Sequence, residues 1–117
     1  MNKGWVYDPH SGGNKIPANV RDQICNEIER YASKQSWNLE AQLKVKFSGC
    51  FCYLATISSD SEGPMPLCRL RYFSKDRWSL ALFMYSSEKY EPSCLYSGKM
   101  VGCLKESLES CKDFVVI

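Results

Sequence analysis

The chain is poor in the residues and runs that would assign it a familiar task. It holds a single histidine, His10, so a zinc site with two histidines and two cysteines is excluded. Its glycines match neither GxxxxGK[ST] nor GxGxxG, which removes the phosphate-cradling loops of the common nucleotide-binding folds. The RNP1 string of an RNA-recognition domain is also missing. No apolar run approaches the roughly 18 residues needed to span a bilayer. The longest, "LALFMY" at 80–85, is strand-sized. The opening "MNKGWVYDPH" lacks the apolar stretch of a secretory signal. Together these absences set the expectation of a soluble, cytoplasmic protein with no membrane partner and no cofactor.

What is present suits one globular core. The 117 residues are 44% hydrophobic and 24% charged, ordinary values for a folded domain and enough for one core rather than two. The expectation is a single α+β domain over 1–117, with 1–16 an irregular, Gly/Asn/Pro-containing lead. The net charge of +2 implies no polyanion partner by itself, so any such case rests on where the cations fall. Seven cysteines, about 6% of the chain, lie below the roughly 8–10% of disulfide scaffolds. Their odd number, with no secretory signal, points to reduced thiols.

Periodicity supplies the elements. Val20, Ile24, Ile28 and Tyr31 form one apolar stripe at helical spacing, which predicts a helix over 17–35. Pro17 suits its first turn, and Asn19 with Asp22 offers an alternative cap. "LEAQLKVKF" (39–47) alternates: Leu39, Ala41, Leu43, Val45 and Phe47 face one way, and Glu40, Gln42, Lys44 and Lys46 the other. A two-residue turn at Ser48-Gly49 then returns the chain as "CFCYLATIS" (50–58). That turn sets Phe47 opposite Cys50, Val45 opposite Cys52 and Leu43 opposite Leu54 on the core face. On the other face it sets Lys46 beside Phe51 and Lys44 beside Tyr53.

After an acidic loop, "PLCRLRYF" (66–73) is the third strand, with Cys68, Leu70 and Tyr72 inward and Arg69, Arg71 and Phe73 outward. "WSLALFMY" (78–85) is the fourth, with Trp78, Leu80, Leu82 and Met84 inward and Ser79, Ala81, Phe83 and Tyr85 outward. A four-residue turn would pair Phe73 with Trp78, so these faces require a bulge or a longer turn. Pro92 in "SSEKYEP" is expected to break the sheet. A short hairpin around "SGK" (97–99) follows, then a helix over 103–113 marked by Leu104, Leu108, Cys111 and Val115. "FVVI" either extends that helix or adds a strand. The predicted architecture is α+β: an N-terminal helix packed on a twisted antiparallel meander of four, up to six, strands, with a C-terminal helix.

Three strings, "YDPHSGGNKIP…R" (7–21), "CRLRYF…W" (68–78) and "SSEKYEPS" (86–93), resemble those of a family of short bacterial and archaeal cytosolic proteins with no assigned activity. The resemblance runs from the N-terminal loop to about residue 93. It implies that this loop and the "EKYEP" segment are the family's signature, and it assigns no role to any residue.

Several sites come into consideration. Asp8, His10 and Ser11 hold the residue types of a nucleophilic triad, but such groups must converge through space, and Asp-Pro followed by Gly-Gly is turn chemistry. His10 is therefore only a weak catalytic candidate. Gly12 and Gly13 run toward a helix N-terminus where Lys15 and Arg21 could help to hold an anion. Cys50 and Cys52 share a strand face without the second pair a metal site needs, and read as small core hydrophobes. Glu88, Lys89, Tyr90 and Glu91 read as a solvated loop rather than as the rim of a pocket.

The outward sheet face carries more. There Lys44, Lys46, Arg69 and Arg71 interleave with Phe51, Tyr53, Phe83 and Tyr85, so that cations could hold phosphates while rings stack on unpaired bases. The alternative is that these rings lie under the C-terminal helix, the N-terminal segment or a second copy of the chain. The expectation is a non-catalytic binding module that contacts RNA, single-stranded DNA or another polyanion through this face. A homodimer formed through the same face is the second reading, and a small hydrolase using His10 the third.

Overall fold

The computed structural model describes residues 12–35, 41–58 and 63–114. Residues 1–11 of the irregular lead, the first residues of the predicted first strand (Leu39 and Glu40), loop residues 59–62 and the terminal residues 115–117 lie outside them.

Helix α1 spans Ala18–Ser33. Pro17 stands at its cap in an extended conformation, φ −63° and ψ 151°, rather than inside the first turn. Its carbonyl accepts the amides of Val20 and Arg21, each at 3.0 Å, so the Asn19 cap alternative is not used. Ile24 and Ile28 are buried, with Val20 and Tyr31 packed at the margin, and the predicted apolar stripe is the buried one.

Six strands follow: β1 (Ala41–Ser48), β2 (Phe51–Ser58), β3 (Met65–Ser74), β4 (Arg77–Met84), β5 (Lys89–Ser93) and β6 (Val101–Gly102). They form one antiparallel sheet in the order β1-β2-β3-β4-β5, with β6 also beside β4. The β1–β2 register differs from the expected one. Ser48 pairs with Phe51, so the loop is Gly49-Cys50, and Phe47 faces Cys52, Val45 faces Leu54, and Leu43 faces Thr56. Gly49 takes φ +59° at the first loop position, which is where a type II′ turn requires glycine. A Ser48-Gly49 loop would have put serine there instead. The slip is two residues in the sum of paired positions, so every side chain keeps its predicted face and only its partner changes.

Two bulges shape β3. Leu54 pairs with Cys68 but Ala55 with Pro66, leaving Leu67 as an extra, buried residue. Tyr72 pairs with Trp78 but Ser74 with Arg77, leaving Phe73 extra. This second bulge supplies the correction that the predicted faces of β4 required, and Trp78 and Leu80 are buried as expected.

The segment expected to break the sheet is itself a strand. Pro92 sits opposite Ala81 within β5. It is tolerated because β5 is an edge strand, where an absent N–H need not interrupt a ladder. The turn at 97–99 forms, with the Gly98 amide bonding the Leu95 carbonyl at 2.8 Å. Residues 101–102 then pair with Trp78 and Ser79 of β4. Helix α2 (Leu104–Cys111) and a 3₁₀ turn (Lys112–Phe114) close the described chain.

The core decides the rest. Ile24 and Ile28 of α1 and Leu104, Leu108 and Cys111 of α2 join one buried cluster with Cys52, Leu54, Cys68, Leu70, Trp78 and Leu80 of the sheet. Cys111 of α2 packs in the same cluster as Cys68, and Cys25 of α1 is near enough to Cys52 to raise its thiol pKa. Both helices therefore cover the same side of the sheet. Among the described residues, no helix is long and apolar enough to cross a membrane.

Candidate functional site

With α1 and α2 on one side, the opposite side carries the alternate residues of each strand. A central cross-strand row runs Lys46, Tyr53, Arg69, Ala81, Pro92. Beside it on one side lie Phe51, Arg71 and Ser79, and on the other Phe83 and Tyr90. The register revision pairs Lys46 with Tyr53 rather than Phe51, and Lys44 with Ala55 rather than Tyr53. All eight residues expected on this side are on or beside it.

The rings form a chain. Phe51 lies 5.8 Å from Tyr53, Tyr53 5.6 Å from Tyr90, Tyr90 5.1 Å from Phe83, and Phe83 4.8 Å from Tyr85. Their planes are inclined by 52–75°, so none is stacked face to face on its neighbour. The Arg69 guanidinium lies 4.4 Å from the Phe51 centroid and 5.3 Å from that of Tyr90, tying β2 to β5 across the sheet by cation–π contact. The Tyr85 hydroxyl donates to the Pro66 carbonyl at 2.6 Å. Burial pushes the Tyr90 phenol above its ordinary value, with Tyr53 adding to the shift and Arg69 opposing it. Burial raises Tyr85 as well.

Arg71 departs from its expected role. It points to the predicted side but is only 6% exposed, stacked 5.0 Å from the Phe51 ring and crossed by the N-terminal segment. A Cβ added to Gly13 would stand 2.9 Å from its Cγ, so only glycine, here at φ +94°, lets the chain pass so close. The segment is fastened to the sheet end by the Asn14 amide on the Tyr72 carbonyl at 2.8 Å and by the Ile16 amide on the Gly49 carbonyl at 3.1 Å. Arg71 thus anchors the crossing segment instead of offering a surface charge.

The secondary anion site is not assembled. Gly12 approaches Phe73 and Gly13 approaches Arg71 and Cys50, away from the start of α1. Arg21 donates from Nε to the Ile16 carbonyl at 3.2 Å and lies over Phe47, while Lys15 is exposed. Asp8, His10 and Ser11 lie outside the described residues. Cys50 is a turn residue rather than the first residue of a strand, its thiol 3.9 Å from the Gly12 carbonyl, whereas Cys52 is fully buried in the core. The same turn placement causes both differences. Among the described residues, no three His, Cys, Asp or Glu side chains gather as a metal would require. Glu88 sits in the β4–β5 turn at φ +54°, Lys89 and Glu91 are exposed, and Tyr90 alone joins the ring chain.

A groove of about 370 Å³ opens on this side. Tyr53, Ala55 and Tyr90 line it, with Pro64 and Pro66 along one wall and Lys44 and Lys46 along the other. Among the described residues the lining holds two cations and no carboxylate. A larger depression of about 580 Å³ at the sheet end, near Leu82, Met84 and Phe114, has Glu91 as the one charged group among the described residues lining it. Sequence reasoning missed Tyr90, Pro64 and Pro66 as parts of the sheet site. The signal for Tyr90 was the alternation of Lys89, Tyr90 and Glu91, obscured by Pro92. Comparison with family models, with curated proteins and with solved structures gives no match to this chain.

Proposed function

We propose that the chain is a non-catalytic, cytoplasmic binding module whose sheet face opposite α1 and α2 contacts single-stranded nucleic acid or another polyanion. One observation carries this reading: α1 and α2 pack on the same side, so the other side presents Lys44 and Lys46 beside a chain of rings with no described helix over them. Both lysines are exposed, and Arg69 lies within the ring chain. Cations held beside aromatic surface are the chemistry that single-strand platforms use. Two of the three strings behind the family resemblance, "CRLRYF" and "EKYEP", contribute Arg69 and Tyr90 to it.

The test is fluorescence anisotropy with a labelled ten-nucleotide single strand at about 50 and 200 mM salt. Binding that weakens as salt rises, and falls further in the doubly substituted Lys44→Ala, Lys46→Ala protein, is the expected result. Binding indifferent to salt, or none at low salt, overturns the proposal. The exposure of Tyr85 (48%) beside the ring chain supports a second reading, self-association through this face.

A further inference from the structure

We infer that the groove beside Lys44 and Lys46 is a subsite for one unpaired nucleobase, with the phosphates on either side of that base held by the two lysines. This rests on the polyanion reading and narrows it to a single strand whose base, and not only its charge, is bound.

The groove's 370 Å³ falls at the small end of the range for small-molecule sites, suited to a base with its sugar rather than to a larger ligand. Its walls are chemically unlike. One is apolar, made by Pro64 and Pro66; the other carries two ammonium groups, with Tyr53 and Tyr90 between them. That division matches a nucleotide, which is planar and apolar at one end and anionic at the other. Among the described residues no carboxylate joins the lining, so the charge there complements phosphate.

Lys44 and Lys46 stand two residues apart on edge strand β1, about 7 Å along the strand, within reach of successive phosphates of an extended chain. Tyr53 and Tyr90 meet at 64°, so neither covers the other's face as a stacked ring would. In the proposed subsite the planar guest lies against Tyr53. A duplex cannot enter, because its bases are already stacked and paired. Arg69 is a positioning residue. Its guanidinium is taken up by Phe51 and Tyr90, and it holds Tyr90 in the lining rather than meeting the phosphates. Lysine cannot replace that planar contact.

Anisotropy titrations compare a fluorescein-labelled oligothymidylate of ten nucleotides with an abasic oligomer of the same length and charge. Inorganic polyphosphate serves as competitor. The slope of log K against log salt is expected near −1.4 for two phosphates, falling to about −0.7 in Lys44→Ala. The abasic oligomer and the Tyr53→Ala protein should bind about five- to a hundredfold more weakly. Because Tyr53→Ala could disturb the sheet, the wild-type ¹H–¹⁵N spectrum is titrated in parallel, and the Lys46, Tyr53 and Tyr90 amides should shift while those of α2 stay in place.

If abasic and base-bearing strands bind equally, the base subsite is wrong and the polyanion reading stands. If neither strand binds at low salt, both are wrong. Shifts confined to other surfaces, or preferential, salt-indifferent binding of a proline-rich peptide, overturn the subsite.

Discussion

Cys52 shows how a residue's environment sets a measurable property of the whole protein. Packed in the core with no exposed surface, it has its thiol pushed up to about 12, first by burial and then by the neighbouring Cys25. In the unfolded chain the same thiol ionises near its ordinary value of 9.0. Below that value both states hold the proton and the thiol leaves stability unchanged. Between the two values the unfolded state alone releases it, so stability falls as pH rises, by about 1.4 kcal/mol per pH unit for each such thiol. Urea unfolding at pH 7.5, 9.5 and 10.5 should therefore show a steep alkaline loss. The Cys52→Ala protein should be weaker at pH 7.5 but decline less steeply, and an unchanged slope in it would refute this account. Cys52 was legible as a core residue from its place in an alternating strand. Arg71 was not legible as buried, because an outward-pointing arginine reads as exposed until the passage of Gly12 and Gly13 is known.

Among the elements, α2 depends most on its surroundings. At eight residues it is too short to persist alone in water. Leu104, Leu108 and Cys111 hold it against the sheet, and Tyr31 of α1 donates a hydrogen bond to Glu109. Leu108 is 2% exposed, so Leu108→Ala removes core volume that the sheet cannot collapse to fill. A loss of about 2–5 kcal/mol is expected, read from the urea midpoint; a loss below 1 kcal/mol would mean that α2 is not part of the cooperative core. The hairpin is the converse case. Its two arms were legible from strict alternation, but the position of its turn was not, since "SGC" offers two neighbouring two-residue loops. The positive φ at Gly49 selects one of them. Strand β5 was hidden by Pro92, because a proline argues against a central strand and position in the sheet is not written locally.

For the whole molecule the open question is what meets the ring-bearing face. A binding module predicts a monomer in solution, and sedimentation velocity at micromolar concentration should give one species whose mass is unaltered in Phe83→Glu. A dimer abolished by that substitution would favour self-association instead. The amphipathic stripe of α1, the sides taken by most residues of the first four strands, and the burial of Leu104, Leu108 and Cys111 in α2 were determined by the sequence alone. Each follows from a side-chain period repeated within a few residues, whereas Cys50 went to the turn and Met84 to solvent. Which face α2 would cover, that Tyr90 would join Tyr53 and Phe83, and that Pro64 and Pro66 would wall a groove opposite two lysines were decided only by the tertiary structure. An apolar stripe records that a helix must be buried, not against which surface, and residues nearly fifty positions apart become neighbours only when the strands between them have paired.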